Sequence, residues 1–234
     1  MRMERGSRGQ AKAIWSFAGI AALAALVAGI GARAQGESGK FAPPDVTAAN
    51  GIAFPMDAAK AGMVSFVVRM DPGGNVQELQ VLQDTPPLTA PAREGLKRWT
   101  FQPAKVNGNS VASIFPVHVV FNPYNPGGTS VTGGGPRVPP AVPSNLSNWL
   151  PPQVRMASYA FYPPNSQVQG TVVLSVSVDK WGHVSGIRVV YGVQPLVEAA
   201  TEAVKQWGFQ PAMRSGETGP GKLCIAFVFQ RNLS

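Results

Sequence analysis

Few side chains in this chain could do chemistry, and their spacing does not bring them together. His118 and His183 are the only histidines, the residue type best suited to proton transfer or metal ligation near neutral pH. Neither has a second histidine, a cysteine pair or a carboxylate at ligand spacing. The alternation around His118 predicts that it points outward from a strand, and His183 falls in a hairpin turn, so both read as surface residues. Cys224 is the single cysteine. It excludes an intrachain disulfide, and a lone thiol in an apolar strand reads as a small packing residue. Asp71 and Asp179 sit in turn sequences, where a carboxylate that caps backbone N–H groups accounts for them. This inventory predicts no enzyme, no metal and no cofactor.

The elements that position these residues occur twice. Shifted by 108 residues, the chain matches itself without a gap. Gly62 falls on Gly170, Asp71 on Asp179 and Gly74 on Gly182. Trp99, Phe101 and Pro103 fall on Trp207, Phe209 and Pro211. A fixed period of this length marks a duplicated domain. In each copy, period-two alternation predicts a strand, through Val64, Phe66, Val68 and Met70 or Val172, Leu174, Val176 and Val178. A tight turn and a second strand follow, with Val76 and Val184 out of phase as in a bulge. Leu88, Ala92, Leu96 and Trp99, like Leu196, Ala200, Val204 and Trp207, lie on one face of a helix. The first helix is the weaker, since Pro91 fits only its first turn and Gly95 lies inside it. A third strand carries Phe115, Val117, Val119 and Phe121, or Leu223, Ile225, Phe227 and Phe229. The fold class is therefore α+β: two copies of a small module, each a three-stranded antiparallel sheet with one main helix on one face.

Three strands leave two edges, which must be blunted or used. Pro116 predicts that the last strand of the first copy is an edge. The last strand of the second copy has no proline and no charge between Lys222 and Arg231, so it could accept a strand from a partner. The alternatives are edge-to-edge pairing of the two modules and strand swapping in a homodimer. Trp181, in a turn, reads either as a local packing lid or as a contact residue.

Net charge is +8, but residues 1–34 carry five of the basic residues against one acid, which leaves fifteen basic and eleven acidic residues in the rest. No basic run interleaved with aromatics occurs, which argues against nucleic acid. A basic stretch ending at Lys12, the uncharged run 13–31 and Ala32-Arg33-Ala34 form a targeting segment over residues 1–34. The chain is therefore exported: cleavage before Gln35 would leave a soluble protein, and retention of 13–31 would leave one tethered to the membrane. Residues 35–53 read as a short tether, 54–122 as the first module, 123–153 as a proline- and glycine-rich solvated linker and 154–234 as the second module. Gly133-Gly134-Gly135 lacks the preceding strand and the lysine of a phosphate loop.

The string Tyr162-Pro163, Gly170–Leu174, Val178–Val184 and Trp207–Gly216 resembles the C-terminal domain of TonB, the periplasmic energy transducer of Gram-negative bacteria; the first module resembles it more loosely from Phe54-Pro55. The resemblance implies the same fold and the binding of an extended segment, the TonB box of an outer-membrane transporter, along the last strand. Carried over, it implies Tyr162, Leu223, Ile225, Phe227, Phe229 and Gln230 as the residues that meet a partner peptide, with Val117, Val119 and Phe121 in the first copy. It also implies a role in TonB-dependent transport, with inner-membrane motor proteins as partners if the chain is anchored. The family's membrane helix carries a serine and, four residues on, a histidine; here Ser16 is followed at that distance by Ile20. The rival reading is a structural envelope protein that binds peptidoglycan or serves as a scaffold.

Overall fold

The computed structural model describes residues 40–55, 61–123, 136–141, 149–164 and 166–231. The targeting segment, Ser16, Ile20 and the triple-glycine run lie outside these residues.

Each repeat begins with a hairpin whose turn is fixed by its aspartate. Asp71 Oδ1 accepts the N–H groups of Gly73 at 2.8 Å and Asn75 at 3.0 Å. Asp179 Oδ1 accepts those of Trp181 and His183, both at 2.9 Å. The chain then turns through Gly182 at φ +91°, where a Cβ would lie 2.4 Å from the Phe209 carbonyl oxygen. Only glycine satisfies both the left-handed backbone and that close approach. In the first repeat Gly74 does the same against Phe101.

In chain order the first repeat contributes β1 (Asp45–Ala48), β2 (Gly62–Met70), β3 (Val76–Gln83), α1 (Thr89–Leu96), β4 (Thr100–Gln102) and β5 (Ser113–Pro123). The second contributes β6 (Gln153–Met156), β7 (Gly170–Val178), β8 (Val184–Tyr191), α2 (Leu196–Lys205), β9 (Gly208–Gln210) and β10 (Gly221–Gln230). The bulges expected near Val76 and Val184 are present as register shifts in both hairpins. Gly95 inside α1 has a packing reason, since a Cβ there would lie 2.6 Å from Ile52 Cγ1.

Two separate three-stranded sheets do not form. The six long strands make one sheet in the order β8-β7-β10-β5-β2-β3. Its centre is a parallel seam, in which Cys224 lies beside Val117 and the register continues to Gln230 beside Pro123. Pro116 therefore does not mark an open edge. The parallel ladder starts one residue later, at Val117, so the missing N–H of Pro116 interrupts no bond across the seam.

Pairing equivalent strands in parallel has a geometric consequence. A two-fold rotation that leaves both strands pointing the same way turns one half of the sheet over. Successive strand side chains point to opposite faces, and the cores follow suit. Val117, Val119 and Phe121 pack with α1 in one cluster, which also takes Cys224, Ala226 and Val228 from β10. Leu223, Ile225, Phe227 and Phe229 pack with α2 in the other, which takes Met63 and Val120 from the first repeat. The helices lie on opposite faces, and each repeat completes the core of the other.

The segments before each repeat close the remaining back surfaces, so 40–53 and 149–153 are more than tether and linker. β1 pairs with β4 and carries Asp45 onto the back of the second repeat. There its carboxylate meets Lys222 Nζ at 2.6 Å, Ser175 Oγ at 2.6 Å and Arg188 Nη2 at 3.0 Å. Ile52 N donates to Thr171 Oγ1 at 2.9 Å. In the reverse direction, Asn122 Nδ2 donates to Ala160 O at 3.0 Å. Trp149 packs with Val67, Ile114 and Ala212. Trp99 and Trp207 close their cores as expected, and each also ties its helix end to the segment ahead of its repeat, through Asn50 O and Ser158 O.

A shared core predicts shared unfolding. Phe227→Ala should cost about 3–5 kcal/mol and lower the urea midpoint of the first repeat as much as that of the second. Amide NMR signals assigned to each repeat measure this; different midpoints for the two repeats would refute it.

Candidate functional site

The strand residues expected to meet a partner peptide lie on the third strands as expected, but their apolar side chains pack into the core beneath their own helix. Leu223, Ile225 and Phe227 are fully buried and Phe229 is 2% exposed; Val117, Val119 and Phe121 are fully buried. β10 pairs with β7 on one side and β5 on the other, and β5 pairs with β2 and β10. Neither third strand has a free side along the seam. Tyr162 is buried with its ring 5.6 Å from that of Phe229, edge to face, and its hydroxyl donates to Val168 O. It anchors the entry to β7 rather than presenting a surface.

His118 departs from expectation. It is 2% exposed, because the outward face of β5 is the face that the second repeat covers. Its Nδ1 lies 2.9 Å from Ser65 Oγ, and Nε2 has no hydrogen-bond partner among the described residues. Burial pushes its pKa from 6.5 down to about 4, so it is neutral at pH 7. His183 is exposed, as its turn position implies, 3.7 Å from Asp179. Burial raises the Cys224 thiol well above its ordinary value, and the charge of Asp45 adds to this, so Cys224 is an unreactive packing residue. Burial alone would raise the Asp45 carboxyl as well. Hydrogen bonds from Lys222 and Ser175, together with Arg188, outweigh it and hold Asp45 below the ordinary carboxylate value.

The open edges of the sheet are β3 and β8, the second strands of the two hairpins. They are not alike. β3 carries Glu78, paired with Arg69 at 2.9 Å, and three glutamines, a polar composition that discourages strand pairing. β8 carries no acid, and Val189 and Tyr191 are 45% and 42% exposed. Beside it an open groove of about 780 Å³ runs between β8, the Trp181 turn and α2. Trp181 is 70% exposed with Lys180 Nζ 4.6 Å from its ring centroid, so it is a surface residue with a local cation over it. Thr201 and Lys205, which line this groove with Ile187, were not singled out by their sequence pattern. The available signal was the 108-residue shift itself, which sets Arg93 against Thr201. No helix among the described residues is long and apolar enough to cross a membrane.

The model of the Gram-negative bacterial TonB protein C-terminal family matches residues 51–123 and again 160–230. No curated protein and no solved structure matches the chain.

The buried histidine gives the fold a pH dependence of known sign. The unfolded chain takes up this proton near pH 6.5 and the folded chain only near 4. The unfolded state therefore binds more protons in that window, and stability falls as pH drops through it. Urea unfolding should show a loss of about 2–3 kcal/mol between neutral pH and about pH 4.5, where Asp45 still carries its charge. His118→Leu should remove most of this difference; a variant that keeps the full difference would exclude His118 as its source.

Proposed function

Since the chain belongs to the TonB C-terminal family, we propose that it is a non-enzymatic, exported protein of the cell envelope that serves TonB-dependent transport by binding an extended segment of an outer-membrane transporter through strand addition. The observation that supports this reading is the duplicated family domain, matched over both repeats. Strand addition draws its affinity from main-chain hydrogen bonds along an open edge. Leu223–Gln230 and Phe115–Phe121, the strands implied by the family, form such an edge only in a state where the seam has parted, because in the closed state they pair with one another from Val117 onward. The seam acts as an internal competitor for the partner segment, and binding is weakened by whatever fraction of molecules is closed. Localisation in the periplasm, soluble or tethered by residues 13–31, belongs to the same reading, as do inner-membrane motor partners for the tethered form. One observation favours the rival reading: the closed seam leaves both family edges occupied, which suits an envelope scaffold or peptidoglycan-binding protein.

A covalent lock separates the two. Val117 and Cys224 are ladder neighbours across the seam, about 4.8 Å apart in the strand-to-strand direction and within reach of a disulfide. Val117→Cys, oxidised during refolding, should close the seam permanently. A fluorescent TonB-box peptide from an outer-membrane transporter should then bind the reduced protein and not the oxidised one, read by anisotropy. Absence of binding in both redox states would discard the transport reading and leave the scaffold.

A further inference from the structure

The two repeats differ most tellingly where the structure makes them easiest to compare. In the first, Arg93 of α1 lies across the space between helix and hairpin. Its Nη1 donates to the Leu79 carbonyl of β3 at 3.0 Å, and its guanidinium sits 5.8 Å from the ring centroid of Phe66. This side chain fills the space beside the edge strand and occupies one of the acceptors on β3. The equivalent helix position in the second repeat is Thr201 and the equivalent strand position is Ile187. Threonine lacks the reach, and the space that Arg93 fills in one copy is the groove of about 780 Å³ in the other.

The groove has the features of a strand-accepting site. Its wall is β8, an outer strand paired on one side only, and Gly186 leaves the backbone bare at the middle of the groove wall. The floor offers Ile187, Trp207 and Phe209. The ionisable residues lining it are His183 and Lys205, with no acid among the lining residues. Lys180 stands over Trp181 at the open end. The nearby carboxylates are already engaged: Asp179 caps its own turn, and Glu202 is paired with Lys205 at 2.6 Å. A ligand that enters here meets an extended backbone, an apolar floor and a lining whose one lysine, Lys205, is shared with Glu202 outside it.

We infer that this groove binds an extended acidic peptide segment of a partner protein, which adds as a further strand along Val184–Tyr191 with a carboxylate directed toward Lys205. The site is separate from the seam, needs no parting of the two repeats and does not rest on the transport reading. Arg93 is the built-in control, a side chain that closes the same space in the first repeat. Thr201→Arg places the same side chain at the equivalent position of the second repeat, within reach of the Ile187 strand that lines the groove.

The test uses the full chain, labelled with ¹⁵N, and a synthetic peptide of alternating valine and threonine with glutamates near one end. Chemical-shift changes are expected at Gly186, Ile187, Thr201 and the Trp181 indole. Thr201→Arg should keep the amide spectrum of the fold and lose these changes. Replacing the glutamates with lysines should weaken binding by at least about tenfold, the effect of losing a charge-assisted contact. Lys205→Gln should weaken the glutamate peptide and leave a glutamine version unaffected. The proposal is overturned if the peptide shifts none of these signals, if Thr201→Arg binds equally well, or if the changes map to Leu223–Gln230. It is also overturned if peptidoglycan fragments, and not the peptide, produce them.

Discussion

The parallel ladder between Ser113–Pro123 and Gly221–Gln230 is the constraint from which the rest of the structure follows. A lone module of this size would bury a small core and leave its third strand open, which is marginal in stability and prone to association. Joining the two third strands removes both problems at once. It also dictates which face each helix must take, because equivalent strands aligned in parallel present opposite faces to the same side. Cys224, Ala226 and Val228, which would face solvent in an isolated module, become part of the core beneath α1.

The polar interior follows from the same arrangement. Asp45 is nearly buried yet charged, because it reaches the second repeat where Lys222, Arg188 and Ser175 converge. A buried carboxylate without such partners would be costly. The corresponding place on the first repeat is closed by apolar contacts of Trp149 with Val67 and Ile114. One back surface is sealed by an ionic clasp and the other by packing, so the internal symmetry is one of backbone rather than of chemistry.

What could be read without the structure is the part that depends on local pattern. Strand alternation, helix faces, the aspartate turns and the tryptophans that end the helices are set by neighbours a few residues away, and these hold. The orientation of His118 and the edge inferred from Pro116 failed for one reason. Each was judged against its own module, while the groups that settle it lie about a hundred residues away in the other. Residues Asp45 and Ser175, or Asn122 and Ala160, meet only once the seam exists. The groove beside β8 was concealed differently: Thr201 has no signature of its own and becomes informative only beside Arg93.

The shared seam also changes how selection acts on the duplication. Two tandem domains that merely follow each other can drift separately, each answerable to its own core. Here a change at Val120 is felt directly at Phe227, its neighbour across the ladder, and so in the core of the opposite repeat, which both side chains enter. The copies are bound to change together wherever they touch and are free to part only at the periphery. Ser65 against Val173 and His118 against Ala226 are substitutions that this mutual burial had to accommodate. Arg93 against Thr201 lies beyond its reach, on an outer edge, where one half of the gene could take a different course while the other kept the sheet intact.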